Sequence, residues 1–241
     1  MSLHVLNGDA LAGRFPTHRI EGDCVVMREA LIAGDVKAAH DEAFFAMRAA
    51  HHGVPLEEYL RQVGSELQKL DERAADAEVY LWFGYDLFCQ VNLWYLIDRL
   101  GTRPNSLYIV YPSHLPEGRV WEDFGSASEE DLVGCYKRAL KCDDEARLLG
   151  VDLWKAFRDD DRTALKALSQ VQSEHFPYLR EVCRAQLDRA TAGEEGRPEK
   201  TVRQIIAEGV TGFGNVFREF HNREGVYGFG DVQFKVVYDK V

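Results

Sequence analysis

The chain has 241 residues, 46% of them hydrophobic and 29% charged, the make-up of a globular protein with enough length for a sizeable core. That composition excludes wholesale disorder, collagen and a coiled-coil rod. The formal net charge of −11 disfavours a nonspecific grip on nucleic acid or on an anionic membrane surface.

Met1-Ser2-Leu3 runs straight into an apolar stretch, with neither a basic n-region nor a long h-region, so no secretory leader is expected. The first third alternates strand and helix. Residues 4–7 (HVLN) form a short buried strand that stops at Gly8-Asp9, and residues 10–15 a short helix. Residues 24–27 (CVVM) form a second strand after the turn pair Gly22-Asp23. A helix rich in Ala is expected over 36–52, closed by Gly53, and another over 55–73, whose Leu56, Leu60, Val63, Leu67 and Leu70 keep helical spacing. Residues 78–83 are a third strand, 86–100 a helix apolar almost all round, and 106–111 a fourth strand closed by Pro112. The longest apolar stretch, 79–97, contains Asp86, Gln90 and Asn92 and so reads as buried strand plus helix rather than a membrane span.

Short apolar strands alternating with helices predict an α/β fold, a Rossmann-like and mostly parallel sheet covered on both faces, over residues 1–115. Residues 116–192 read as an all-α region, with helices near 128–141, 143–157, 161–171 and 176–191. Its first part, 117–145, carries nine acidic and four basic groups, nearly half of the whole charge imbalance. Ser128 and Asp131 resemble a capping box. Thr191 to Pro198 reads as a charged linker. Residues 199–241 suit a small winged-helix-like module: helices over 199–208 and 215–222, a glycine-broken loop, and a tail better fitted by helix than by strand, with Asp231 as its N-cap. Six acidic groups balance six basic ones there, so a DNA footprint is not expected.

The five cysteines, an odd number with no C-x-x-C pair, predict reduced thiols in a cytoplasm rather than a disulfide framework or zinc ribbon. No P-loop, dinucleotide fingerprint, H-E-x-x-H or nucleophile elbow occurs. His51-His52 ends a helix, where the dipole favours it. A site therefore has to be argued from topology. Ligands of open parallel sheets bind at the carboxyl ends of the strands. Those ends carry Asn7-Gly8-Asp9, Arg28-Glu29, Gly84-Tyr85-Asp86 and Ser113-His114. Asn7, Gly8, Asp9, Arg28, Glu29, Asp86 and Gln90 are thus the ligand-binding candidates. Arg28 and the amides after Gly8 would hold an anion, and Asp9, Glu29 and Asp86 would bind Mg²⁺ or act as general bases. Each has a plainer reading: Asn-Gly-Asp as turn chemistry, Arg28-Glu29 as a solvated strand end, Asp86 as an N-cap. Gln90 and Asn92 are different, because buried amides within an apolar helix need partners.

The segments HVLNGDA, GDCVVMREAL and LWFGYDLFCQVNL, in that order over residues 4–115, resemble the bacterial family called domain of unknown function 1835. The helical region near 145–191 and the module after 199 are similar to the regions C-terminal to that domain in such proteins. One position departs: between Phe83 and Asp86, where the family pattern carries an acidic or His-containing pair, this chain has Gly84-Tyr85. The resemblance implies a fold and motif positions but no activity. Two functions are expected to compete: a protein binding a nucleotide or small anionic phosphometabolite, or a non-enzymatic regulator acting through its C-terminal module.

Overall fold

The computed structural model describes residues 1–38, 40–104, 106–189 and 194–241. Four parallel strands, β1 (Ser2–Asn7), β2 (Asp23–Met27), β3 (Glu78–Trp82) and β4 (Ser106–Val110), lie in the order β2-β1-β3-β4. A two-residue strand, β5 (Leu140–Lys141), adds antiparallel to β4. The fold is α/β, with a mostly parallel sheet.

Side-chain alternation gives the sheet two apolar faces. Leu3, Val5, Val25, Val79, Leu81, Leu107 and Ile109 point to one, and Leu6, Tyr80, Trp82 and Val110 to the other. The second face lies under α1 (Asp9–Ala12), Phe15, Ile20, Phe124 and α6 (Glu129–Lys137). Toward the first face pack α2 (Asp41–His52), then a continuous helical stretch of α3 (Leu56–Tyr59), a π turn over Leu60–Gly64 and α4 (Ser65–Arg73). The central helix α5 (Leu87–Leu100) is apolar almost all round because it is enclosed: it packs on α7 (Asp144–Arg158), where Gly150 lets the two helices approach at Ile97, and on α9 (Leu179–Leu187). α8 (Arg162–Leu168) bridges α7 and α9. The remainder is three helices, α10 (Arg197–Ala207), α11 (Phe213–Glu224) and α12 (Asp231–Tyr238), whose Val202, Phe220 and Phe234 join the same core as Leu3 and Leu81.

Several local readings hold. Ser128 and Asp131 form a reciprocal capping box, Asp86 caps α5 by accepting from Cys89 N–H, and Gly53 closes α2 at φ +68°. The five cysteines are free. Among the described residues no helix is long and apolar enough to cross a membrane.

Others are corrected. The helix expected from residue 36 begins at Asp41, because Arg48 of α2 draws the carbonyls of Ala33 and Asp35 toward itself and holds the preceding chain irregular. The region read as all-α contributes β5: α6 stops at Lys137, and the chain then pairs with the free side of β4. Arg197 and Pro198, read as linker, open α10, with Pro in the first turn where its missing N–H costs nothing. Thr191 to Gly193 of that linker lie outside the described residues. Gly230, not Asp231, precedes α12 as its N-cap. The winged-helix likeness stops at the helices, since residues 194–241 hold no strand and the glycine loop closes as a 3₁₀ turn over Gly225–Tyr227.

Candidate functional site

The parallel register aligns Asn7 with Met27, Leu6 with Trp82, and Trp82 with Val110, so the carboxyl ends of all four strands share one edge. The strand order turns around between β1 and β3, because successive connections depart to opposite sides there. This is where a crevice opens in such sheets. The candidates after those strands nevertheless face three separate surroundings.

Arg28 and Asp9 pair at the rim. Arg28 Nε donates to both Asp9 carboxylate oxygens at 2.9 and 3.1 Å, and its Nη1 donates to the Gln62 carbonyl at 2.9 Å with Glu66 at 3.4 Å. The Asp9 side chain is 70% exposed. The guanidinium expected to take an anion is already surrounded by two carboxylates and a carbonyl. Gly8 stands at φ +89°, where a side chain would be strained, and α1 has four residues, too short for a developed dipole.

Glu29 turns inward, and its side chain and that of Arg48 are both fully buried. Its oxygens accept from Arg48 Nη2 at 2.6 Å and Nε at 3.1 Å, Tyr59 Oη at 2.5 Å and Ala30 N–H at 2.9 Å, with His52 Nε2 at 3.2 Å. Burial alone would raise the Glu29 pKa. The His52, Arg48 and Tyr59 hydrogen bonds and the Arg48 charge outweigh it and hold the carboxyl down at about 2. Glu29 is a saturated structural anion that fastens residues 29–35 to α2.

Gln90 and Asn92 resolve as the buried-amide reading requires. Gln90 Nε2 donates to the Gly84 carbonyl at 2.8 Å, with Tyr111 Oη at 3.4 Å, and so fixes the turn after β3. Asn92 Nδ2 donates to the Glu29 carbonyl at 2.7 Å and to Asn7 Oδ1 at 3.2 Å, while its own oxygen accepts from Leu31 N–H at 3.2 Å. One α5 side chain thereby ties together the loops after β1 and β2.

Asn7 and Asp86 remain, and they line a cleft of about 530 Å³ at the switch point. Its walls also include Phe88, Cys89, Trp121, Asp123, His221 and Gly228. Asp86 is 3% exposed. Around Gly84 the groups are crowded: a Cβ there would lie 2.9 Å from Asp86 Oδ2, 3.0 Å from Cys89 Sγ and 3.3 Å from Asp123 Oδ1. Two carboxyls and a thiol therefore converge on one point, and Gly84, lacking a side chain, leaves the space they share. On the opposite side Gly228 stands at φ +61°, and a Cβ on it would overlap the Asp86 carboxyl.

The electrostatics derive from this crowding. Burial raises the Asp86 pKa against the Cys89 N–H bond that favours the anion. Burial, then the neighbouring Asp86 charge, raises Asp123 to about 7. Asp123 Oδ1 is buried and has no hydrogen-bond partner. The Cys89 thiol, which accepts from Asn7 Nδ2 at 3.1 Å, is held well above its usual range by burial and by the two carboxyls. It is a protonated thiol at neutral pH, not a nucleophile. Near pH 7 Asp123 is close to half-protonated, and burial favours the protonated form of Asp86 beside it. Asp9, Glu29 and Asp86 do not meet, so they share no cation, and among the described residues no group of three His, Cys, Asp or Glu side chains is arranged to hold a metal ion.

Asp123, His221 and Gly228 were not among the sequence candidates. Asp123 sits in Trp121-Glu122-Asp123-Phe124, an acid flanked by aromatics within a run otherwise read only for its net charge. That flanking was the available signal. His221 and Gly228 arrive from the C-terminal helices, and nothing local marks them. No family model, no curated protein and no solved structure matches this chain.

Proposed function

We propose that this protein binds a nucleoside-like molecule in the cleft at the carboxyl ends of β1 and β3 and moves a proton on it. The observation that carries the proposal is the half-ionised Asp123 carboxyl beside Asp86, whose buried Oδ1 has no hydrogen-bond partner, in a cleft that Phe88 and Trp121 also line. Aromatic walls suit a planar base, and carboxyls suit sugar hydroxyls or an exocyclic amine. A phosphate is the poorer fit, since both carboxyls disfavour an anion and Arg28 is engaged at the rim. Asp123 would give or take the proton and Asp86 would set its acidity. The free thiols accord with a reducing, cytoplasm-like compartment. The likeness of residues 4–115 to domain of unknown function 1835 brings no activity and leaves the ligand class to the cleft.

The test is calorimetric titration of the full chain at pH 7 with adenosine, guanosine, cytidine and uridine, and with their 5′-monophosphates. At least one nucleoside should bind, its monophosphate more weakly, and Asp123→Asn should weaken the nucleoside by about tenfold, roughly 1.4 kcal/mol. Tighter binding of the monophosphates, an unchanged affinity in Asp123→Asn, or no binding by any nucleoside would each overturn the proposal.

A further inference from the structure

A second cavity, of about 430 Å³, lies on the far side of the C-terminal loop, between the end of α9, the start of α10 and α12. Arg189 and Glu199, both on its walls, form no ion pair with each other. Arg189 donates from Nη1 to the Ile32 carbonyl at 2.8 Å and to Gln186 Oε1 at 3.0 Å, and its guanidinium lies over the Phe229 ring at 5.9 Å. Among the described residues no carboxylate comes within ion-pairing distance, 4.0 Å, of Arg189. Glu199 is 7% exposed, its Oε1 reaches Lys240 only at 3.7 Å, and its Oε2 is buried with no hydrogen-bond partner. Burial lowers the Arg189 pKa, and Glu199 is among the groups that partly oppose this without touching the guanidinium. Pro198, Phe229, Val236 and Val237 give the cavity apolar surface, beside the polar His51, Gln186 and Gln233.

A buried carboxylate oxygen with no donor costs more than any net gain from an ordinary hydrogen bond, so such an atom calls for a partner. A guanidinium held apart from that carboxylate, across a cavity with an apolar side, sets out a second requirement. We propose that this cavity is a binding site for a free α-amino acid with an apolar side chain. The ligand carboxylate would pair with Arg189, its ammonium with Glu199, and its side chain would lie against Phe229 and Val237. The planar guanidinium suits a carboxylate through two parallel hydrogen bonds. A zwitterion offers a donor to Glu199 Oε2 and an acceptor to Arg189 at once, whereas a simple anion would leave Glu199 Oε2 without a donor and a simple amine would leave Arg189 without a carboxylate. Lining residue Asp160, the non-glycine residue found at positive φ (54°) among those described, shapes the rim next to Arg162, which donates to the Leu187 carbonyl.

The probes are L-leucine and L-phenylalanine, titrated into the full chain alongside 3-phenylpropionate, which lacks the amine, and phenethylamine, which lacks the carboxylate. One of the two amino acids should bind with a dissociation constant of about 1 mM or tighter, and both single-charge analogues should bind at least about tenfold more weakly than L-phenylalanine or not at all. Glu199→Gln, which keeps the shape, should weaken the amino acid by about tenfold while leaving 3-phenylpropionate unchanged or improved. Arg189→Gln should do the reverse for phenethylamine. If Arg189→Gln fails to fold, the analogue series on the wild type and Glu199→Gln still decide the matter. Equal binding of 3-phenylpropionate and phenylalanine, an unchanged affinity in Glu199→Gln, or no binding of either amino acid at millimolar concentration would overturn the proposal.

Discussion

Glu29 and Asp123 are carboxyls near the same edge of the sheet, Glu29 fully buried and Asp123 half-buried with one oxygen shut off from solvent, and they behave oppositely. Glu29 accepts from Arg48, Tyr59 and the Ala30 amide, lies beside His52, and stays ionised down to about 2. Asp123 has an oxygen with no donor and the Asp86 charge beside it, and it keeps its proton up to about 7. Loss of solvent alone does not decide whether such a carboxyl is held as an anion or keeps its proton. The number of donors does, because each donor favours the anion and each empty lone pair leaves the burial cost uncompensated.

The sharpest way to break that contrast is to strip Glu29 of its main donor. Arg48→Met should cost about 3–5 kcal/mol in urea denaturation at pH 7, since it leaves a buried charge uncompensated. Glu29→Gln added to it should restore part of the loss; a double variant no better than the single one would show that Arg48 acts through packing instead. Next in size is Gly228→Ala. It combines a positive φ with overlap onto the Asp86 carboxyl, so about 2–3 kcal/mol of destabilisation is expected, together with altered binding in the cleft.

The two acids should also oppose each other in pH. Glu29, depressed below its ordinary 4.5, contributes stability that is complete above about 4.5 and fades as pH falls toward 2. Asp123, raised above its ordinary 3.8, holds a proton in the folded chain that the unfolded chain releases, so its contribution weakens as pH rises from about 4 through 7. Asp123→Asn removes that slope and should make the protein more stable than wild type at pH 8, by about 1–3 kcal/mol, with the advantage vanishing near pH 4. Thermal melts at the two pH values read this directly, and an equal effect at both would remove the acid from consideration. The smallest effect is expected for Asp9→Asn. It breaks an exposed ion pair with Arg28 and should change stability by less than about 1 kcal/mol in denaturation at pH 7.

Much of the framework was legible in the residues. Apolar runs ending at Asn7, Met27, Trp82 and Val110 became parallel strands in register, and Asp86 became a cap, because these features depend on local spacing and backbone chemistry. Asn7 and Asp86 were found for the same reason. Arg28 and Glu29 show the limit. Adjacent in sequence, they fall on opposite sides of the chain, one in solvent with Asp9 and the other under α2 with Arg48. Arg48 itself was hidden within an apolar helical stretch, Phe44 to Ala50, where an arginine with no visible partner is the mark of a buried anion elsewhere. Asp123 and His221 could not be joined to Asp86 by any local rule, since one comes from the connection after β4 and the other from α11, far apart in the chain.

The Gly228 contact carries a consequence for biosynthesis. A ribosome emits Asp86 well before Asp123 and far before Gly228, whose loop between α11 and α12 covers the Asp86 carboxyl. Until that cover arrives, both carboxyls stand in water and ionise as ordinary acids. The acid pair with raised pKa values is therefore absent from the nascent chain and comes into being at the final docking step. Its appearance is a chemical timestamp for completed folding: a net proton uptake near neutral pH, measurable with a pH indicator dye during refolding from urea.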